Sequence, residues 1–152
     1  MRLADVLKVE AIRTDFTSDD KDDTLRELAR IFVEADGVLD EEAVYRVFSD
    51  REELASTGVG SGVAIPHGRL DIDDFRVAMA ICPEGVQFDS VDGEPARIFF
   101  AILGPQQSPA EQLKILARVS RVLKDKQVRA RLLEAETSQD ALAIVAEEEG
   151  RH

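Results

Sequence analysis

Ile98-Phe-Phe-Ala-Ile-Leu103 is the stretch that most limits what this chain can fold into. It is apolar at every position, so as a strand it has no face to offer to water. It is expected at the centre of a sheet, over Arg97–Leu103. Arg76–Cys82, with Val77-Ala-Met-Ala-Ile-Cys82 at its core, reads as a second strand. Val63-Ala-Ile-Pro66 is shorter. Pro66 has no N–H to give a ladder, so this strand ends there or lies at an edge. Val91-Asp-Gly-Glu-Pro95 carries a turn signal between the two stronger strands.

Helical patterns flank the strands. In residues 19–36, Leu25, Leu28, Ala29, Phe32 and Val33 recur at helical spacing. Asp19 or Asp20 can cap this helix and Gly37 can end it. Residues 41–50 read as a second helix capped by Asp40, with Val44, Val47 and Phe48 on one face. A third opens with Ser108 as N-cap, Pro109 at the first helical position and Glu111 completing a capping box. Leu113, Leu116, Ala117, Ser120 and Leu123 are expected on its inner face. Residues 126–135 and 138–147 read as two more helices. Helices, then strands, then helices favour an α/β or α+β domain with helices packed on a small sheet. No linker divides the chain, and 152 residues fit one domain over 1–152, with 148–152 as a frayed tail.

Charge narrows the function. The chain has 31 Asp plus Glu against 19 Lys plus Arg, a net −12. Such a balance argues against nucleic acid and against an anionic membrane surface. It fits either a basic-patched partner or solubility alone. No apolar run approaches the roughly 20 residues of a membrane span. The single cysteine, Cys82, lies in an apolar strand pattern and reads as a small buried hydrophobe in a reducing compartment. The segment Met1-Arg2-Leu-Ala-Asp5 meets charge at once and has no signal-peptide pattern. The expected location is the cytoplasm.

The chain has two histidines, His67 and the terminal His152. A lone loop histidine usually has no special role, but the surroundings of His67 set it apart. Ser56-Thr-Gly-Val-Gly-Ser-Gly62 precedes it, and Pro66 restricts the backbone directly before it. Glycines let backbone N–H groups turn toward an anion. Ser56, Thr57 and Ser61 add hydroxyls, and Arg51 ends the preceding helix. Arg69, two residues on, reads as ordinary surface. No metal site is expected, with one ordered histidine and no cysteine pair. The loop is neither a nucleophile elbow nor a Walker loop, and it leads into a strand rather than opening a helix as a dinucleotide loop would.

Arg51-Glu52, Ser56-Thr57-Gly58-Val59-Gly60 and Gly62-Val63-Ala64-Ile65-Pro66-His67-Gly68 together resemble the active-site signature of type-2 IIA domains. These are the fructose-, mannitol- and nitrogen-type IIA components of the bacterial phosphoenolpyruvate-dependent phosphotransferase system. Gly85–Asp89, Asp92–Pro95 and the helix Leu113–Leu123 extend the resemblance over roughly residues 3–147. It is closest to the nitrogen-regulatory branch. It implies an α/β fold, a small mixed sheet flanked by helices. It implies that His67 accepts a phosphoryl group from the phosphocarrier HPr, with Arg51 stabilising the phosphoryl oxygens. Ser56, Thr57, Gly58, Gly60 and Gly62 would line the phosphate site. Gln112 stands where many members place a second histidine, and its amide can still donate to phosphate. Neither nucleotide nor other cofactor is required, because the donor is itself a phosphohistidine. Two further readings stay open. One is a regulatory module that binds kinases or transporters according to its phosphorylation, without onward transfer to sugar. The other is an IIA-like interaction domain that has lost transfer.

Overall fold

The computed structural model describes residues 2–151. The elements in chain order are α1 (Leu3–Val6), β1 (Leu7–Arg13), α2 (Lys21–Ala35), α3 (Glu41–Leu54), β2 (Gly58–Gly60), β3 (Val63–Ala64), β4 (His67–Leu70), β5 (Arg76–Val86), β6 (Ala96–Pro105), α4 (Pro109–Leu123), α5 (Lys126–Glu134) and α6 (Ser138–Glu149). His152 lies outside the described residues.

The six strands form one mixed sheet in the order β1-β5-β6-β3-β2, with β4 also on β6. β5 and β6 run antiparallel at its centre, from Arg76↔Leu103 to Ile81↔Ile98. The uniformly apolar strand is therefore central, as its sequence requires. Its side chains alternate between two cores. Ile98, Phe100 and Ile102, with Val77, Met79 and Ile81, face Ile115 and Val119 of α4, Leu132 of α5 and Val145 of α6. Phe99, Ala101 and Leu103, with Ala78, Ala80 and Cys82, face Leu28 and Phe32 of α2 and Phe48 of α3. Phe99 meets Phe16 and Phe88 edge-on, with centroids at 6.0 and 5.4 Å. The sheet is thus sandwiched between α2–α3 on one face and α4–α6 on the other, the α/β arrangement expected.

Helix starts follow their caps. Asp20 accepts from Asp23 N at 2.8 Å and Asp40 from Ala43 N at 3.0 Å. Ser108 takes the N-cap position of α4 but makes no side-chain cap bond, and Glu111 pairs instead with Lys114. The buried face of α4 is only partly the one expected: Leu123 is buried and Leu116 packs against the core, but Ala117 and Ser120 are exposed. Leu113 is 68% exposed, and Gln112, Ile115, Val119, Val122 and Leu123 are buried. Both sets have helical spacing, and the β-branched stripe is the one that meets the sheet.

Within the described residues, helix reaches into the stretch expected to fray. α6 runs through Glu149, whose carboxylate accepts from Leu3 N at 2.6 Å and Ala4 N at 3.1 Å. It satisfies two of the amides that the first turn of α1 leaves open.

Candidate functional site

β3 and β4 pair with the same strand, β6, both in parallel. Val63 and Ala64 lie against Ile98 and Phe99, and His67 to Leu70 against Ile102 to Pro105. The break between them is Ile65-Pro66. The Pro66 carbonyl accepts from Ile102 N at 2.9 Å, so the chain rejoins β6 at once. His67 is therefore the first residue of a strand rather than part of a loop, and its backbone is fixed.

The imidazole is held at both nitrogens. Nδ1 lies 2.8 Å from the Ile65 carbonyl oxygen. A carbonyl only accepts, so Nδ1 carries the proton and the lone pair is on Nε2. Arg51 Nε donates to Nε2 at 3.3 Å. Burial pushes the His67 pKa below its ordinary value, and the Arg51 charge acts the same way. The Ile65 hydrogen bond and the Glu52 charge oppose them without reversing the shift. Neutral His67 is thereby favoured, with an unprotonated Nε2 that accepts from a cation.

Two close approaches build this geometry. A Cβ on Gly68 would fall 1.9 Å from Val47 Cγ1, so glycine here lets α3 lie directly on β4. Arg51, one turn beyond Val47, then reaches His67. α3 runs four residues past the expected end at 50, and this extension carries Arg51. Arg51 Nη1 also donates to the Ala55 carbonyl at 2.9 Å, which steadies the guanidinium at the helix end.

On the other side, Gln112 is 5% exposed and its Nε2 donates to the Gly68 carbonyl at 3.3 Å. A Cβ on Gly104 would meet Gln112 Oε1 at 2.7 Å and Phe75 Cε1 at 2.5 Å, so this glycine leaves room for Gln112 to cross β6. Arg51, Leu54, His67, Arg69, Gln106 and Gln112 line one open depression of about 810 Å³. Arg69 is exposed, as expected, yet sits on the rim of the site.

The glycine-rich stretch, expected to line the phosphate, is tied into the fold by contacts of its own. The Ser56 hydroxyl donates to the Phe88 carbonyl at 2.8 Å and accepts from Gly58 N at 3.0 Å. Thr57 is buried, and its amide and hydroxyl both donate to Glu52. Gly58 packs against Ser90. β2 and β3 form an antiparallel hairpin, and its turn needs left-handed backbone at Gly60 (φ 96°), Ser61 (φ 58°) and Gly62 (φ 78°). Ser61 N donates to Asp92 Oδ2 at 3.0 Å, and Gly60 lines a separate depression beside Lys124 and Arg129. The structure brings Arg51, His67 and Gln112 together, and Ser56, Thr57, Gly58, Gly60 and Gly62 shape the strand that leads to them.

Residues 5–148 match the family model described as phosphoenolpyruvate-dependent sugar phosphotransferase system, EIIA 2. The chain belongs to this family. A nitrogen regulatory protein from Bradyrhizobium diazoefficiens is 37% identical over 145 residues, 95% of this chain and 92% of the relative. A fructose-specific EIIA component from Haloferax volcanii is 38% identical over 128 residues, 84% of this chain and 83% of the relative. The crystal structure of nitrogen regulatory protein IIA-Ntr from Neisseria meningitidis superposes with a TM-score of 0.87 at 29% identity, covering 94% of this chain and 98% of that one. The mannitol IIA of Escherichia coli shares the fold, with a TM-score of 0.77 at 24% identity over 91% of this chain and 97% of that one.

Among the described residues of this IIA domain, no group of three or more His, Cys, Asp or Glu side chains could hold a metal. No described helix is long and apolar enough to cross a membrane. The sequence reading gave no part to Glu52, whose carboxylate holds Thr57 beside the site. The signal available was an acid directly after Arg51 inside the motif.

Proposed function

We propose that this IIA domain is a cytoplasmic phosphocarrier that accepts a phosphoryl group from an HPr-type protein on Nε2 of His67. The observation that carries the reading is the pair of contacts on the imidazole. With Nδ1–H donated to the Ile65 carbonyl, the Nε2 lone pair is free to attack phosphorus. The new N–P bond forms as the donor's N–P bond breaks. The Nδ1 proton stays in place, and a donor ring protonated on its other nitrogen leaves as neutral imidazole, so no proton need move during the transfer. Such a transfer passes through a loose transition state, and the protein's part is to position groups and stabilise charge. Arg51 supplies that charge at Nε2, turning its Nε–H from the lone pair to a phosphoryl oxygen.

The same domain fits a regulatory role of the nitrogen type, through phosphorylation-sensitive contacts with kinases or transporters. Gln112 favours it over sugar transport. The residue cannot carry a proton, and one of its two amide N–H groups is given to the Gly68 carbonyl. It therefore offers a neutral wall where a second histidine would offer a titratable group.

Intact mass after incubation with phosphoenolpyruvate, enzyme I and HPr tests the reading. Wild type should gain one acid-labile phosphoryl group and His67→Ala none. Equal gain in both would overturn His67 as the acceptor. No gain in wild type, beside a working control, would leave a domain that has lost the relay.

A further inference from the structure

Glu52 lies in the last turn of α3. Its side chain is 5% exposed. The Thr57 amide donates to Oε1 at 3.1 Å and to Oε2 at 3.2 Å, and the Thr57 hydroxyl donates to Oε2. The Lys21 ammonium, at the first residue of α2, lies 3.0 Å from Oε1. Lys21 in turn reaches Asp89 at 3.6 Å and sits 5.0 Å from the centre of the Phe88 ring. One carboxylate thus ties α2, α3 and the segment before β2.

The tie continues to His67 by two routes. Along the chain, Glu52 is bonded to Arg51, whose Nε meets Nε2. Across the sheet edge, the Thr57 carbonyl accepts from Ile65 N at 2.9 Å, and the Ile65 carbonyl accepts from His67 Nδ1 at 2.8 Å. The partners of both imidazole nitrogens therefore trace back to one buried carboxylate. Stability alone is a poor reason for such a group, since buried ion pairs are often replaceable by apolar side chains at no loss.

We infer that Glu52 is a positioning residue for phosphoryl transfer. It holds the Arg51 guanidinium on Nε2 and the Ile65 carbonyl on Nδ1, and so keeps His67 in its nucleophilic tautomer. This rests on the phosphocarrier reading above.

Glu52→Gln keeps the shape and removes the charge. Thr57→Val keeps the charge and removes the hydroxyl bond. Initial rates of phosphorylation from phospho-HPr should fall about 10- to 100-fold in Glu52→Gln and by a smaller factor in Thr57→Val, the scale expected for misplaced reacting groups. The direction discriminates between roles. The Glu52 charge raises the His67 pKa, so its loss leaves more neutral imidazole at pH 7. A purely electrostatic role therefore gives an equal or faster rate, and positioning gives a slower one. Long-range ¹H–¹⁵N correlation spectra supply the second readout. They should show the Nδ1–H tautomer of His67 in wild type and a mixture in Glu52→Gln, with the titration midpoint unmoved in Thr57→Val.

Folded variants that take phosphate at the wild-type rate and keep the wild-type tautomer would overturn the inference. If wild type takes no phosphate, the phosphocarrier reading fails. The tautomer then still decides the matter: an unchanged one in Glu52→Gln overturns the positioning role, and a mixed one supports it.

Discussion

Arg51 Nε and His67 Nε2, 3.3 Å apart, join the last turn of α3 to the first residue of β4. A guanidinium aimed at an imidazole nitrogen is attractive only while that nitrogen keeps its lone pair. The pair is therefore matched to neutral histidine, and phosphorylation at Nε2 would oblige the Arg51 Nε–H to turn to a phosphoryl oxygen. Replacing Arg51 with Met should slow phosphorylation by about 10²–10³-fold, the range for losing one donor to developing charge. It should also raise the titration midpoint of His67, because the Arg51 charge is one cause of its lowering. Arg51→Lys should recover little, since an ammonium on a flexible stem does not reproduce the Nε–H direction. Initial rates and an NMR titration check both effects.

The depressed His67 pKa fixes the pH dependence. Phosphoryl acceptance should be level through neutral pH and decline only below the ordinary histidine value of about 6.5, as Nε2 gains a proton. Stability follows by linkage. The unfolded chain takes up this proton at a higher pH than the folded one, so the folded state loses ground as pH falls through about 6.5 toward the folded value. Below the folded value the penalty is constant. His67→Gln should remove this component. Between pH 7.5 and mildly acid pH the urea midpoint of wild type should fall further than that of His67→Gln.

Gly68→Ala tests the approach of α3 to β4. The added Cβ would fall 1.9 Å from Val47 Cγ1, so helix or strand must shift. Overpacking of this kind costs about 1–3 kcal/mol, which corresponds to a melting temperature lower by roughly 2–12 °C in a domain of this size. Transfer should slow as well, because Arg51 rides on the displaced helix. Val47→Ala added to Gly68→Ala should restore part of both losses, and a double-mutant cycle measures the coupling.

Glu149→Ala should act on stability alone. It removes the acceptor of the Leu3 and Ala4 amides, and Leu3 is buried. An unsatisfied buried amide costs about 1–3 kcal/mol. Thermal unfolding should report that loss, and the rate of phosphorylation should stay at the wild-type value.

The parts of this fold that can be read from the sequence are those where one local rule dominates. β5 and β6 show as apolar runs, and α2 and α3 begin at aspartates that do cap them. β1 was missed because its alternation fails. Leu7 pairs with Val77 but Ile12 with Met79, so the register shifts within the strand and blurs the period of two. β4 was missed because His-Gly-Arg-Leu is half-exposed and has no strand pattern of its own. It is a strand only because β6 pairs with it. The buried face of α4 was misread in part because Leu113 looks like core, and only the sheet's position reveals that Ile115 and Val119 take that place.

The site divides in the same way. His67 and Arg51 were visible through the motif, and the structure sets them in contact. The hairpin that the glycines build was not. Composition alone cannot tell a loop that cradles an anion from a hairpin turn. The partners of Ser56, Thr57 and Ser61 are Phe88, Glu52 and Asp92, from 5 to 32 residues away.

The most direct test of the account is to find which nitrogen carries the phosphoryl group. A ¹⁵N-labelled sample, phosphorylated through enzyme I and HPr, would be examined by long-range ¹H–¹⁵N correlation. The account predicts phosphorylation at Nε2 of His67, with Nδ1 still protonated and bonded to the Ile65 carbonyl. A phosphoryl group on Nδ1, or on a residue other than His67, would contradict it.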